Sequence, residues 1–285
     1  MPAQILDGRA IAADLRASVH AESIALRERA IHPRLIVTLV GEDEASAAYV
    51  RNLLRVGQRT DIKVEVVQLR ARATENDVRT SMQALAYDAS VHGVLLQQPL
   101  PSHLCIRSLA DAIPPQKDVD GANPINQGRL AFGSGTDFVP ATAAAVMLLL
   151  ERSPAWPIKG KRAAAIGRSN VVGLPVALLL LAADATVTVF HKESRHLSTD
   201  VKTADVVVVA TGVPGLVDGT MVKPGATVID VGTTLVDGTL RGDVDFASVR
   251  QIAGAITPVP GGVGPVTNIA LLRNVIKAAT SLAAS

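Results

Sequence analysis

Three polar side chains stand where strand ends and loops would present them: Tyr49 in EASAAYVRN, Gln97 in LLQQPLP and Asp120 in QKDVDGANPIN. A phenol on a helix, an amide at a strand end and a carboxylate in a Pro/Gly loop could meet at one cleft edge and orient a polar ligand. Singly, each has a plainer use: Tyr49 as half-buried core, Gln97 as a strand-end cap, Asp120 as a turn former. The run Thr257 to Thr267, TPVPGGVGPVT, adds three prolines and three glycines after an apolar strand. Proline fixes φ and glycine removes the Cβ where something approaches the main chain, so this reads as a stiff, close-fitting, ligand-facing loop, with a simple connector as the alternative.

A second chemistry is written in AAAIGRSNVVGLP. Gly167 falls at a strand end, Ser169 in the turn and Gly173 inside the next helix. The spacing is GxSxxxGxP, not GxGxxG, but the strand-turn-helix context is the one in which backbone amides at a helix N-terminus bind a pyrophosphate. The next strand, ATVTVF, ends in HKESRH. Arg168, Lys192 and Arg195 place positive charge there and favour a 2′-phosphate, hence NADP; Glu193 would serve the ribose hydroxyls of NAD instead.

Two layers of elements must position these groups. Apolar residues recur at helical spacing through Ile11, Leu15 and Val19, and RLIVTLVG then reads as a buried parallel strand. Helix and strand alternate again: Ala45 to Arg59, KVEVVQL, a helix from about Thr74 to Ala89, and GVLLQQP. From Pro114 to Phe138 the pattern fades into a Pro/Gly/Asn-rich segment that reads as an irregular, functional domain joint. A helix, Thr142 to Glu151, leads to five further strand runs, RAAAIG, ATVTVF, DVVVVAT, ATVIDVG and AGAITPV, the pattern of a doubly wound nucleotide-binding sheet. A final helix spans Asn268 to Ser281.

Composition narrows the function. A chain of 285 residues can bury two medium cores. Net charge is +2 and aromatic content 2%, which supplies neither a cationic face nor stacking platforms for nucleic acid. No charge-free run reaches the roughly twenty apolar residues of a membrane span, and Asp7 and Arg9 interrupt the start, so no signal peptide and a cytoplasmic location are expected. The lone Cys105, at helical spacing with Leu109, reads as a buried packing residue. The six histidines form no HExxH or HxH pair, and no metal site is expected.

Along nearly its whole length the chain resembles the methylenetetrahydrofolate dehydrogenase/cyclohydrolase family, the bifunctional FolD proteins. The stretches that carry the resemblance are VGEDEASAAYV, GVLLQQPLP, PPQKDVDG, GRSNVVGLP, GATVIDVG, GDVDF and ITPVPGGVGPVT. The resemblance implies an α/β fold of two domains across a cleft. Residues 1–140 with 267–285 would form a folate domain, discontinuous and closed by the C-terminal helix, and residues 141–266 a Rossmann-like NADP domain, with a homodimer joined through the NADP domains. It implies oxidation of 5,10-methylenetetrahydrofolate by NADP⁺ to the methenyl cation, which the cyclohydrolase opens to 10-formyltetrahydrofolate. Carried over by position, Asp120 would hydrogen-bond the pterin, Tyr49 stack on the substrate and Gln97 orient the proton-handling group. Ser46 would brace Tyr49, and Pro260, Gly261 and Gly264 would line the folate pocket. Gly167, Arg168, Ser169, Lys192, Ser194 and Thr233 would contact the cofactor.

The chain departs from that pattern at one chemical position. The family continues from the tyrosine as YVxxK, and the lysine handles protons in the hydrolytic step; here the segment reads YVRNL, with Leu53 at the lysine position. Leucine neither accepts a proton nor polarises water. Arg51 and Arg55 point to other sides of the helix and stay protonated. The expectation is a dehydrogenase with the cyclohydrolase step weak or absent; the alternatives are a fully bifunctional enzyme and a non-catalytic folate- or nucleotide-binding paralogue. Milder departures are PATA for PCTP, DVGTT for DVGIN, HKES for HS(R/K)T and Val266 in GGVGPVT.

Overall fold

The computed structural model describes residues 2–133 and 138–284. Strand β1 (Gln4–Ile5) leads into helix α1 (Gly8–Glu28), followed by β2 (Arg34–Val40), α2 (Glu44–Thr60), β3 (Lys63–Leu69), α3 (Glu75–Tyr87) and β4 (Gly93–Leu96). Local chemistry sets the limits of these helices. Asp43 caps α2 by accepting from Ser46 N–H, and Asp61 ends it in the left-handed conformation at φ 57°. Thr74 and Asp77 close a reciprocal capping box on α3. Strands β2, β3 and β4 form a three-stranded parallel sheet in the order β3-β2-β4. Every residue of β4 is buried, as a strand covered on both faces requires.

Three helices follow: α4 (Ile106–Leu109), α5 (Pro124–Phe132) and α6 (Ala141–Glu151). The irregular joint expected from Pro114 to Phe138 therefore contains a helix. Its signals are local: Asn123 caps Ile125 N–H, Pro124 sits in the first turn and Gly133 ends the helix at φ 64°. Residues 134–137 of that segment lie outside the described residues. Cys105 also departs from expectation. It is exposed at the N-terminal boundary of α4 instead of packed inside, because α4 is a single turn that begins only after it.

The second series runs β5 (Arg162–Ile166), α7 (Gly173–Ala182), β6 (Thr186–Phe190), α8 (Leu197–Val201), β7 (Val206–Val209), β8 (Thr227–Asp230), β9 (Thr234–Val236), β10 (Thr239–Arg241), α9 (Phe246–Val249), β11 (Ala255–Ile256) and α10 (Val263–Leu282). The five strand runs read from sequence all enter one parallel sheet, order β1-β11-β8-β7-β5-β6, with β1 as an added edge. A small β9-β10 hairpin turns at Asp237 and Gly238, both at positive φ, as the Asp-Gly pair favours. Helix α10 starts at Val263, not Asn268. Pro265 is tolerated in its first turn, where an N–H would lack a partner anyway, so Gly264, Val266 and Thr267 are helical.

Contacts divide the chain into two units, Met1–Ala13 with Thr142–Thr267, and Asp14–Ala141 with Asn268–Ser285. The first thirteen residues thus go with the second series, where β1 pairs in parallel with β11. Each unit has its own core. One gathers Ile166, Val207, Val209, Val228 and Ile256, and the other Ile36, Val78, Met82, Val94 and Leu109. Met82 is fully buried, so Met82→Ala should cost about 2–5 kcal/mol. Denaturant unfolding checks this, and an unchanged transition would remove Met82 from the core.

Candidate active site

The sequence-predicted residues fall into two groups, one in each unit. In the unit of the three-stranded sheet, Tyr49 and Leu53 lie one turn apart on α2 and share a face. Leu53 is 0% exposed and Tyr49 half-buried, whereas Arg51, Asn52 and Arg55 are exposed. No arginine of α2 therefore replaces an amine at position 53. Ser46 is 4% exposed and does something other than brace Tyr49 by a hydrogen bond. Its Oγ donates to the Gln98 carbonyl at 3.2 Å, and Gln97 Nε2 donates to the same oxygen at 2.6 Å. That one carbonyl ties the first turn of α2 to the loop leaving β4 and fixes the Gln97 amide.

Asp120 is placed by its neighbours in Lys117-Asp118-Val119-Asp120-Gly121. Lys117 Nζ donates to the Asp88 carbonyl at 2.8 Å, and Val94 N–H donates to the Lys117 carbonyl at 2.9 Å. Asp118, 1% exposed, accepts from Ala122 N, Asn123 N and Asn126 Nδ2 at 2.8–3.0 Å. From α10, Asn274 Nδ2 donates to the Val119 and Val139 carbonyls at 2.7 and 3.0 Å. Gly121 adopts φ 63°, and a Cβ there would overlap Pro140. The segment is thus pinned on both sides of Asp120. The sequence reading assigns no role to Lys117, Asp118 or Asn274; the two further charges beside Asp120 in KDVDG are the signal for the first two.

Asp120 itself is half-buried, with its carboxyl crowded by protein. Burial pushes that carboxyl up to about 7; the nearby Asp118 charge adds to the rise, and the Ala141 N–H bonded to it opposes. Burial likewise raises the Tyr49 phenol, and the Asp120 charge raises it further, so the two side chains sense each other. Such a pair presents a hydrogen-bonding edge that can hold or release a proton near neutral pH.

The other group lies in the unit of the six-stranded sheet. Gly167 ends β5 at φ 114°, and a Cβ there would overlap the Ala210 carbonyl; one on Gly173 would overlap Gly167. Ser169 Oγ accepts from Val172 and Gly173 N–H at 3.2 and 3.4 Å, fixing the turn into α7. Arg168, Ser169 and Lys192 are exposed, and Ser194 Oγ accepts from His191 N–H at 2.9 Å. Lys192 lies 3.7 Å from Glu193, an exposed pair of little energetic weight. Cationic and hydroxyl groups at the carboxyl ends of parallel strands fit the phosphates of a dinucleotide. Thr233, Pro260 and Gly264 are exposed, and Gly261 is half-buried, at φ 110°, beside the Arg9 guanidinium. A Cβ on Gly8 would overlap the Gly262 carbonyl, so α1 begins directly against this loop. The sequence reading names neither Thr211 nor the roles of Asp230 and Asp243, which support these loops from beneath.

The raised Asp120 carboxyl has a consequence for stability. The folded chain keeps this proton at pH values where the unfolded chain, titrating near the usual aspartate value of about 4, has released it. Asp120 therefore destabilises increasingly as pH rises from the ordinary carboxylate range to about 7, and constantly above that. Asp120→Asn should raise the thermal midpoint more at about pH 8 than at about pH 5. An equal shift at both would contradict the raised carboxyl.

The chain matches the family model for the tetrahydrofolate dehydrogenase/cyclohydrolase catalytic domain over residues 6–120, and the model for the NAD(P)-binding domain of the same family over residues 140–283. A bifunctional protein FolD from Moorella thermoacetica is 48% identical over 280 residues, 98% of this chain and 99% of that one. Among solved structures, the bifunctional FolD enzyme of Campylobacter jejuni is 40% identical with a TM-score of 0.93, covering 98% of this chain and 99% of its own. The Trypanosoma brucei methylenetetrahydrofolate dehydrogenase-cyclohydrolase, solved with NADP cofactor and an inhibitor, is 37% identical with a TM-score of 0.96 over the full length of both chains. With both family models matched in order and relatives similar from end to end, this chain belongs to the tetrahydrofolate dehydrogenase/cyclohydrolase family.

Proposed function

We propose that this chain oxidises 5,10-methylenetetrahydrofolate to the 5,10-methenyl cation with NADP⁺, and that its cyclohydrolase step is weak or absent. Family membership over the whole chain supports the first half. The second half rests on one observation, the fully buried Leu53 one turn from Tyr49, where the family's lysine would stand. Bound NADP⁺ supplies the hydride acceptor. The protein's own task in that step is to hold the substrate at the reacting distance, which Asp120 would do at the pterin, Tyr49 by stacking and Pro260, Gly261 and Gly264 along the pocket wall. Gly167, Arg168, Ser169, Lys192, Ser194 and Thr233 would hold the cofactor, and the exposed Arg168 and Lys192 suit a 2′-phosphate.

Water addition to the methenyl carbon needs a group that takes a proton from the attacking water. Gln97 orients such a group but cannot replace it, and Leu53 offers only hydrocarbon. The folate and NADP domains proposed here follow residues 1–140 with 267–285 and 141–266, except that residues 1–13 contribute an edge strand to the sheet of the NADP domain. A bifunctional enzyme is the second reading, favoured by the 48% identity to a protein named as bifunctional. No helix among the described residues is long and apolar enough to cross a membrane, and we place the enzyme in the cytoplasm.

We also propose a homodimer joined through the six-stranded sheet. Its edge strand β6 leaves Val189 37% exposed, and α7, which packs on β6, leaves Leu174 and Leu181 exposed. Val189→Lys should shift the molecular mass measured by light scattering from dimer to monomer. A wild-type monomer would end the proposal.

Stopped-flow absorbance should show NADPH formation with methylenetetrahydrofolate, while methenyl decay in the same cuvette stays at the buffer rate. Leu53→Lys should accelerate that decay, with retained dehydrogenation showing that the variant is folded. Rapid methenyl hydrolysis by the wild-type chain would favour the bifunctional reading.

A further inference from the structure

Beneath the loops at the carboxyl ends of β7, β8 and β11 lie two carboxylates that the reaction does not use. Asp230 closes β8 and is 3% exposed; Asp243, in the loop between β10 and α9, is 0% exposed. Asp230 Oδ1 accepts from Gly232 N and Asp243 N, and Oδ2 from Val244 N, each at 3.0 Å. Its own N–H donates to Thr257 Oγ1 at 2.8 Å, at the start of the proline-glycine loop. Asp243 Oδ2 in turn accepts three hydrogen bonds, from Thr211 N at 2.6 Å, Thr211 Oγ1 at 3.0 Å and Gly212 N at 2.9 Å. A connected relay therefore runs from Thr257 through Asp230 and Asp243 to Thr211 and Gly212.

Two features set this relay apart from ordinary packing. Among the described residues no cation pairs with either carboxylate, and Asp243 Oδ1 is buried without a hydrogen-bond partner. Burial pushes the Asp230 carboxyl up to about 6, against the backbone hydrogen bonds it accepts and with the Asp243 charge adding to the rise. An apolar pair of similar volume would avoid that cost if the site served stability alone. What the relay fixes instead is backbone on the ligand side of the sheet: Gly212 and Val213 face solvent immediately above Asp243, where dinucleotides bind open α/β sheets.

We propose that Asp243, held by Asp230, is the positioning residue that sets the Thr211–Gly212 backbone for dinucleotide binding. The inference rests on the reading of this unit as the NADP-binding one. Asp243, 0% exposed, acts through the backbone: its single Oδ2 draws two successive N–H groups and one hydroxyl inward and so determines which backbone groups of residues 211–213 remain outward. Replacing it should weaken the cofactor and spare the folate.

Calorimetric titration of NADP⁺ into the purified chain, with the thermal midpoint and both KM values, tests this. Asp243→Ala should raise the NADP⁺ Kd roughly tenfold or more, with Asp243→Asn, which keeps an acceptor oxygen, recovering most of the loss. Thr211→Val removes one donor with little change of shape and should weaken NADP⁺ about threefold, at an unchanged thermal midpoint. The folate KM should stay within about twofold in all three. If Asp243→Ala does not fold, Thr211→Val decides. The proposal is overturned if folded Asp243→Ala or Thr211→Val binds NADP⁺ as the wild type does, or if affinity for both ligands falls together with the thermal midpoint. A wild-type chain that binds no dinucleotide overturns the cofactor reading itself, a result separable from the variant series because it comes before it.

Discussion

Asp118, Asp230 and Asp243 are all more than nine-tenths buried, and among the described residues each holds its place through N–H donors, joined at Asp243 by one hydroxyl, without a cationic partner. A carboxylate removed from water is tolerated only where several donors converge on it, so each of these residues imposes a fixed arrangement on the loops that supply the donors. In the unit of the three-stranded sheet, Asp118 turns Ala122 and Asn123 inward, and the segment carrying Asp120 can follow only one path. In the unit of the six-stranded sheet, the other two carboxylates gather the loops after β7, β8 and β10. Both candidate-site regions thus rest on amide dipoles aimed at buried carboxylates, and not on ion pairs such as Lys159–Asp184 and Lys192–Glu193, which are exposed and weak.

Leu53 fits this picture as an absence of charge. A lysine at that helical position would bring a cation close to the Tyr49 and Asp120 pair, lowering both titrations. With leucine there, burial and the neighbouring Asp118 charge, opposed by the Ala141 N–H, carry the Asp120 carboxyl up toward neutrality. Leucine at this position therefore bears on electrostatics as well as on proton transfer: the edge formed by Tyr49 and Asp120 is more apolar and more readily protonated than it would be beside a cation.

Much of this was legible in the sequence because it is local. The strand runs, the strand-turn-helix around Gly167, the same-face placement of Tyr49 and Leu53 and the outward-facing Arg51 and Arg55 all follow from periodicity. Helix α5 is hard to see although Asn123, Pro124 and Gly133 announce it, because a Pro/Gly-rich context masks ordinary capping signals. The start of α10 is ambiguous because prolines and glycines suit a first helical turn as well as a loop. Strand β1 has two residues and exists only through its pairing with β11, so no local pattern could reveal it. Apart from the Gly232 N–H, two positions on, the contacts of Asp230 and Asp243 join residues 13 to 32 positions apart, and spacing alone does not say which amides a carboxylate will collect.

The carboxylates also explain two glycines. A Cβ on Gly232 would overlap the Asp243 carboxylate, and one on Gly242 would overlap that of Asp230. Each acid occupies the space that a side chain on the opposite loop would need, so the four positions are sterically interdependent. Alanine at Gly232 would also meet the Asp243 backbone N, and alanine at Gly242 the Val259 side chain, so shortening the facing acid alone opens neither position. Space as well as hydrogen bonding therefore ties each glycine to the loop across from it, and a methyl group at either would have to displace the relay.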